Sequence, residues 1–226
     1  YMDFCQILTP KQKALQINLD PTIYGSFSEI GAGQEVSRHF FKAGAAAGTI
    51  AKTISAYDMT VSDIIYGRDE KDTRYVSETR VRRMIEREFD LLVERLKDVR
   101  HQNTRYFAFA NTVATKSMGS DSISHGWVGL RFQHEPKAAA SQVVLHIRMF
   151  DNLKTSQMDA LGVLGVNMIY ACYYENQDPF IFVKTLMDNL NNERINIDSI
   201  HCEGPAFFGR DPRILALELV KKGMTK

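Results

Sequence analysis

Three cysteines, six prolines and one tryptophan are few for 226 residues, and each scarcity closes off a class of protein. Cys5, Cys172 and Cys202 are odd in number, far apart and free of any CxxC spacing, so neither a disulfide framework nor a zinc knuckle is written here. That usage suits a reducing compartment, and the expectation is a cytoplasmic protein. An excess of charge of one sign is missing too. With 28 basic against 27 acidic residues the formal charge is +1, which gives no overall field toward nucleic acid or an anionic membrane. Neither is an expected partner. Long apolar runs are also absent: residues 161–174 form the most apolar stretch, too short and too interrupted by glycine and asparagine to span a bilayer. It reads as a buried helix. No secretory signal is legible at the start.

What is present is enough for a sizeable core. At 44% apolar and 24% charged, the composition is that of a globular protein. One domain over residues 1–226 is expected, with no internal repeat. The stop three residues after Gly223, a helix-ending residue type, suggests the N-terminal part of a longer polypeptide.

Helical periodicity is clearest over residues 77–100, where Val81, Met84, Ile85, Phe89, Leu92, Leu96 and Val99 form one face and arginines and glutamates the other. Further helices are expected over 35–43, 155–174, 179–190 and 212–222. The last two open on Asp178-Pro179 and Asp211-Pro212, with Asp as N-cap and Pro at N1. Alternation and β-branched content place strands at 14–19, 49–56, 106–114, 127–133, 143–150 and 195–201. The fourth and fifth read as a hairpin. Because strands and helices do not strictly alternate, the expected fold is α+β (or mixed α/β), a central mixed sheet of about five to six strands flanked by helices.

Residues 25–48 hold five of the 14 glycines. Glu29-Ile30-Gly31-Ala32-Gly33, leading into Gln34-Glu35-Val36, resembles the loop that opens a helix in dinucleotide and S-adenosylmethionine sites, where backbone amides face an anion or a ribose. An acid after the next strand would then hold a ribose, and Asp58 is the candidate. Two features oppose this reading: residues 24–28 make a poor buried strand, and Glu35 would repel a phosphate. The alternative is that these glycines serve close packing. A second loop, residues 115–125, is rich in hydroxyls and carries one lysine, which suits a phosphate or carboxylate. The candidate ligand-binding set is therefore Gly31, Gly33, Lys52, Asp58, Thr115, Lys116, His125 and Arg148. His146 and Arg148 alternate onto one strand face and, if buried, require partners. There is no phosphate-loop lysine motif, HExxH helix, GxSxG elbow or histidine pair at metal-ligand spacing on a helix. No catalytic set, cofactor or metal is assigned. Gly162 and Gly165 are expected to let their helix pack closely on the sheet.

The runs ALQINLDPTIYGSFSEIGAGQEVSRHFF, AGTIAKTISAYDMTVSDIIYG, FANTVAT, HGWVGLRFQ and LGVLGVNMIYACYY resemble a family of uncharacterised bacterial proteins, over nearly the whole chain from Ala14. Its members carry the labels nicotinamide-nucleotide adenylyltransferase and, less often, TonB-dependent receptor. The resemblance implies a further C-terminal half and transfers no functional residue. The receptor label disagrees with the lack of successive lipid-facing strands. The adenylyltransferase label disagrees with the lack of histidine between Asn18 and Gly33, where that superfamily has an HxGH motif.

Two functions remain from the sequence. The first is a protein that binds a nucleotide or other phosphorylated metabolite, with a nucleotidyltransferase-like activity as one form of it, between the Gly31–Gly33 turn and the 115–125 loop. The second is a non-enzymatic homo-oligomeric assembly domain in which Tyr24, Phe27, Phe40, Phe41 and Tyr57 form the contact surface.

Overall fold

The computed structural model describes residues 7–68, 70–116, 123–207, 211–221 and 223. They build a six-stranded mixed sheet with helices on both faces. The strands are β1 (Ile23–Ile30), β2 (Ile50–Ile54), β3 (Arg105–Ala114), β4 (Ser124–Phe132), β5 (Ser141–Met149) and β6 (Ile195–Glu203), in spatial order β2-β1-β3-β4-β5-β6. β2, β1 and β3 are mutually parallel; β4, β5 and β6 each run antiparallel to the preceding strand. The carboxyl ends of β1, β2, β3 and β5 therefore share one edge with the starts of β4 and β6.

The helices are α1 (Pro10–Leu19), α2 (Glu35–Ala43), α3 (Met59–Tyr66), α4 (Glu78–Leu96), α5 (Lys154–Tyr174), α6 (Pro179–Leu186) and α7 (Pro212–Lys221). The chain leaves β1 through α2 toward β2, then returns past β1 through α3 and α4 to β3. Right-handed crossovers in opposite directions put their helices on opposite faces of the sheet. Accordingly α1, α2 and α5 pack together over one face, whose core holds Phe27, Phe107, Phe109, Leu130, Phe132, Leu145 and Ile147. α4 covers the other face with Val81, Met84 and Ile85 against Ala110 and Val144, and with Phe89 and Leu92 against Ala108.

Two expectations are corrected at the N-terminal end. Residues 14–19 are helical because Thr9 and Gln12 form a capping box around Pro10 at the first turn. The helix is anchored by Lys13, whose buried ammonium donates to Asn167 Oδ1 at 2.8 Å and Asp188 Oδ2 at 2.6 Å. The sixth strand is instead β1, the stretch read as a poor buried strand. It is central and buried along nearly its whole length. Ser28 is accommodated by the Tyr66 hydroxyl at 2.5 Å, which in turn donates to Glu88 at 3.0 Å. α3 was not foreseen as a helix. Gly162 and Gly165 do permit close packing, on α2 as well as on the sheet: a Cβ on Gly165 would overlap the Val36 side chain and press on Phe109 of β3.

Candidate functional site

The Gly31–Gly33 turn adopts positive φ at both glycines, 102° and 69°. Gly31 runs so close to β3 that a Cβ would overlap the Val113 carbonyl oxygen. The amides at the start of α2 do face an anion, and it is the protein's own. Glu29, at the end of β1 and wholly buried, accepts from Val36 N at 3.0 Å, Ser37 N at 3.1 Å, Ser37 Oγ at 3.0 Å and Asn111 Nδ2 at 3.1 Å. An internal carboxylate thus takes the position at the helix start that a ligand phosphate was expected to fill, and at Gly31 the structure shows close packing on β3. Burial pushes the Glu29 carboxyl above the ordinary carboxylate range, against the pull of these four hydrogen bonds.

Asp58 is likewise used internally, as N-cap of α3, accepting from Val61 N at 3.0 Å. Lys52 lies under α4, paired with buried Glu88 at 2.6 Å. Neither joins a ligand cluster. Thr115 and Lys116 continue β3 beyond the edge: the Thr115 hydroxyl donates to Gly31 O at 3.4 Å, and Lys116 N to Gln157 Oε1 at 2.9 Å. The two candidate loops are therefore neighbours at the carboxyl edge. Residues 117–122 of the second loop, and Cys5, lie outside the described residues.

The remaining pair, His125 and Arg148, stand directly opposite each other on β4 and β5. They belong to a larger cluster on the α4 side of the sheet. His146 Nδ1 bonds Asp198 Oδ1, and His146 Nε2 lies 3.3 Å from His125 Nδ1. Arg148 Nε meets the other oxygen of Asp198 at 2.7 Å. Trp127 packs beside His146 with ring centroids 4.7 Å apart. Asp198 reaches this face because β6 carries a bulge: His146 pairs with Ser199 and Ile147 with Ile197, which leaves Asp198 as the extra residue. The Ser199 hydroxyl, opposite His146, is buried without a partner among the described residues.

The hydrogen-bond pattern fixes the tautomers of the neutral pair. The carboxylate of Asp198 accepts the Nδ1 proton of His146, so His146 Nε2 carries a lone pair and His125 Nδ1 must donate to it. His125 Nε2 is then a bare lone pair, with no partner among the described residues. Burial holds the His125 imidazole below the ordinary histidine range, and the guanidinium charges of Arg148 and Arg74 act in the same direction, against Asp198. Arg148 is 51% exposed, and its Nη groups have no partner among the described residues.

One cleft adjoins this cluster and a second lies farther along the same face. The first, of about 360 Å³, is lined by Arg148, Phe150, Asn192, Glu193, Asn196 and Asp198. The other, of about 110 Å³, lies at the ends of β1 and β3 among Ile30, Tyr57, Met59, Tyr75, Arg80 and Thr112. Thr112 pairs with Trp127 across the ladder, so one row of side chains joins the smaller cleft to His146. A further cleft of about 310 Å³ between α2 and α5 has charges of both signs on its walls, Glu35, Asp159, Arg38 and Lys42. Among the described residues no group of three or more His, Cys, Asp or Glu side chains is placed to hold a metal ion.

His146, Asp198 and Trp127 are absent from the set drawn from sequence. The alternation of His146 with Arg148 signalled a partner, but the bulge that turns Asp198 onto their face has no local sequence signature. None of the described helices is long and apolar enough to cross a membrane.

No family model and no curated protein matches the chain. Solved structures do. A competence/damage inducible protein CihA from Agrobacterium tumefaciens is 18% identical, with 74% of this chain and 98% of that one covered and a TM-score of 0.50. A competence or damage-inducible protein from Enterobacter asburiae is 14% identical, with 74% and 99% covered and a TM-score of 0.54. A competence-damaged protein (CinA) superfamily protein from Enterobacter cloacae is 15% identical, with 76% and 95% covered and a TM-score of 0.51. At these identities the likeness is one of fold, and it is to proteins described by neither the adenylyltransferase nor the receptor label.

Proposed function

We propose that this protein binds a small phosphorylated metabolite of the nucleotide class at the carboxyl edge of its sheet, on the α4 side, with the anionic group at Arg148 and His125. The observation that carries the reading is the position of that pair. They face each other on β4 and β5 at the carboxyl edge that the ends of β1 and β3 share, two and three strands from β1, and the carboxyl edge is where open sheets of this kind hold ligands. Arg148 keeps its Asp198 partner through Nε and presents its Nη donors to the larger cleft. The smaller, aromatic-walled cleft is the size of a single ring and lies two strand spacings away, about 10 Å. That separation matches a base-to-phosphate span. The descriptions of the similar structures name competence or damage responses and no ligand, so the ligand class rests on the edge itself.

Thermal shift against nucleoside mono- and diphosphates, NMN, NAD and inorganic phosphate tests the reading. At least one phosphorylated compound should raise the melting temperature, and Arg148→Ala should remove the rise while leaving the unliganded protein within about 0.5 kcal/mol of its stability. Equal shifts in the parent and in Arg148→Ala would move the anion elsewhere.

Self-association is a second reading, favoured by one specific observation. β2 is an edge strand, and next to it Tyr57, Met59, Val61 and Ile64 are exposed, Ile64 to 76%. Of the aromatic residues first considered for such a surface, Phe27 and Phe40 are in the core and Arg100 stacks on Tyr24, so only Phe41 and Tyr57 remain available. Light scattering decides: a dimer that Ile64→Glu converts to monomer supports this surface, and a monomeric parent removes it.

A further inference from the structure

We infer that Asp198, His146 and His125 form a proton relay that makes His125 Nε2 a general base, so that the edge site performs acid–base chemistry on its anionic ligand in addition to binding it. The substrate class, a phosphorylated metabolite with an acidic hydrogen within reach of His125 when its anionic group is held at Arg148, rests on the anion-binding reading above. The relay itself rests only on the geometry of the three side chains.

Three features carry the inference. The chain is continuous: carboxylate to Nδ1 of His146, Nε2 of His146 to Nδ1 of His125. It ends at a half-buried imidazole whose outer nitrogen has no partner among the described residues. Its inner end is held by more than one contact, since Arg148 fixes the second oxygen of Asp198 at 2.7 Å and Trp127 packs on the ring of His146. A cluster needed only to neutralise Arg148 would require Asp198 and neither histidine.

In the step proposed, a substrate hydrogen passes as a proton to His125 Nε2, and the electron pair of the broken bond stays on the substrate atom. The proton already on His125 Nδ1 moves to His146 Nε2. His146 then holds the positive charge beside the Asp198 carboxylate, where it is stabilised. Reversal of both transfers returns a proton to the product, so no co-reactant is required. His125 is the group that meets substrate; His146 and Asp198 are positioning residues. Arg148 and Arg74 oppose protonation of His125 in the empty site, and a bound anion offsets them, which couples proton uptake to substrate binding.

Carbethoxylation by diethyl pyrocarbonate, followed by peptide mass spectrometry on the intact folded chain, reads the base directly. Nε2 attacks a carbonyl carbon of the reagent and becomes N-ethoxycarbonylated as ethanol and carbon dioxide leave. His125 should react on the order of tenfold faster than His101, and Asp198→Asn should slow His125 by a similar factor while His101 is unchanged. Equal rates at His125 and His101, or no effect of Asp198→Asn, would overturn the relay. Should that variant fail to fold, nitrogen-15 NMR of the parent imidazoles decides: protonated Nδ1 with bare Nε2 on both rings supports the relay, and protonated Nε2 on His125 at neutral pH ends it. Inorganic phosphate separates the two readings. A fast His125 that saturating phosphate fails to protect would sink the anion site and leave the relay standing.

Discussion

Glu29 shows how one side chain can occupy the place where a ligand was expected. The start of a helix attracts negative charge through its unpaired amides, and here β1 ends on a carboxylate that fits them. Glu29→Ala would leave two amides and the Asn111 donor facing a dry gap. Urea denaturation should show a loss of about 2–4 kcal/mol, and an unchanged midpoint would mean that those donors have other acceptors. The pH dependence follows from the raised carboxyl: the folded state keeps this proton to higher pH than the unfolded chain. Its contribution therefore favours folding below the ordinary carboxylate range and is lost as pH rises through the raised value. Glu29→Gln should flatten that part of the stability profile. At this scale the sequence was legible where a residue acts on its immediate neighbours. Asp178 caps α6 as the Asp-Pro spelling indicated. It was illegible where a residue acts across strands, since Asp198 meets His146 only through a bulge between distant segments.

Elements were readable in proportion to their periodicity. α2 matches the expected bounds, α4 and α5 nearly so, and the hairpin of β4 and β5 has the expected order. The errors fall where side chains give mixed signals. In residues 14–19 the apolar Leu15, Ile17 and Leu19 alternate as in a strand, and the capping box that decides for helix lies upstream at Thr9. In β1 the serines look unfit for burial until Tyr66 and Glu88 are seen to complete one of them. The contact between α2 and α5 offers a test of packing at this scale. Gly165→Ala gains helix propensity of about 1 kcal/mol but drives a methyl into Val36. The clash should win, with a net loss of about 1–2 kcal/mol in thermal or chemical denaturation. A more stable variant would show that α2 and α5 can separate at little cost.

For the whole molecule, composition and the order of elements were enough for a mixed α+β sheet flanked by helices, because layering follows from which faces are apolar. The route of the chain was not, and the route is what creates the edge. Helices departing to opposite faces leave the strand ends of β1 and β2 open, and the antiparallel extension through β4, β5 and β6 brings two histidines, an arginine and an aspartate to the same margin. α4 lies over the middle of its face, mainly on β3 and β4, and the cluster stands on β4, β5 and β6 at the carboxyl edge. The exposed apolar residues Tyr57, Met59, Val61 and Ile64 follow β2 in the chain, and Tyr57 and Met59 also line the smaller cleft. Association through them would leave the His125 cluster open but would cover the cleft assigned to the ring. The two readings therefore compete at that cleft.

The most direct test follows the imidazole signals of His125 and His146 by NMR while a phosphorylated ligand such as NMN, or inorganic phosphate, is added. The account predicts that both shift together, saturate, and stop responding in Arg148→Ala while the fold is retained. Perturbations confined to residues around α2 and the Gly31–Gly33 turn, with the two histidines unmoved, would contradict it.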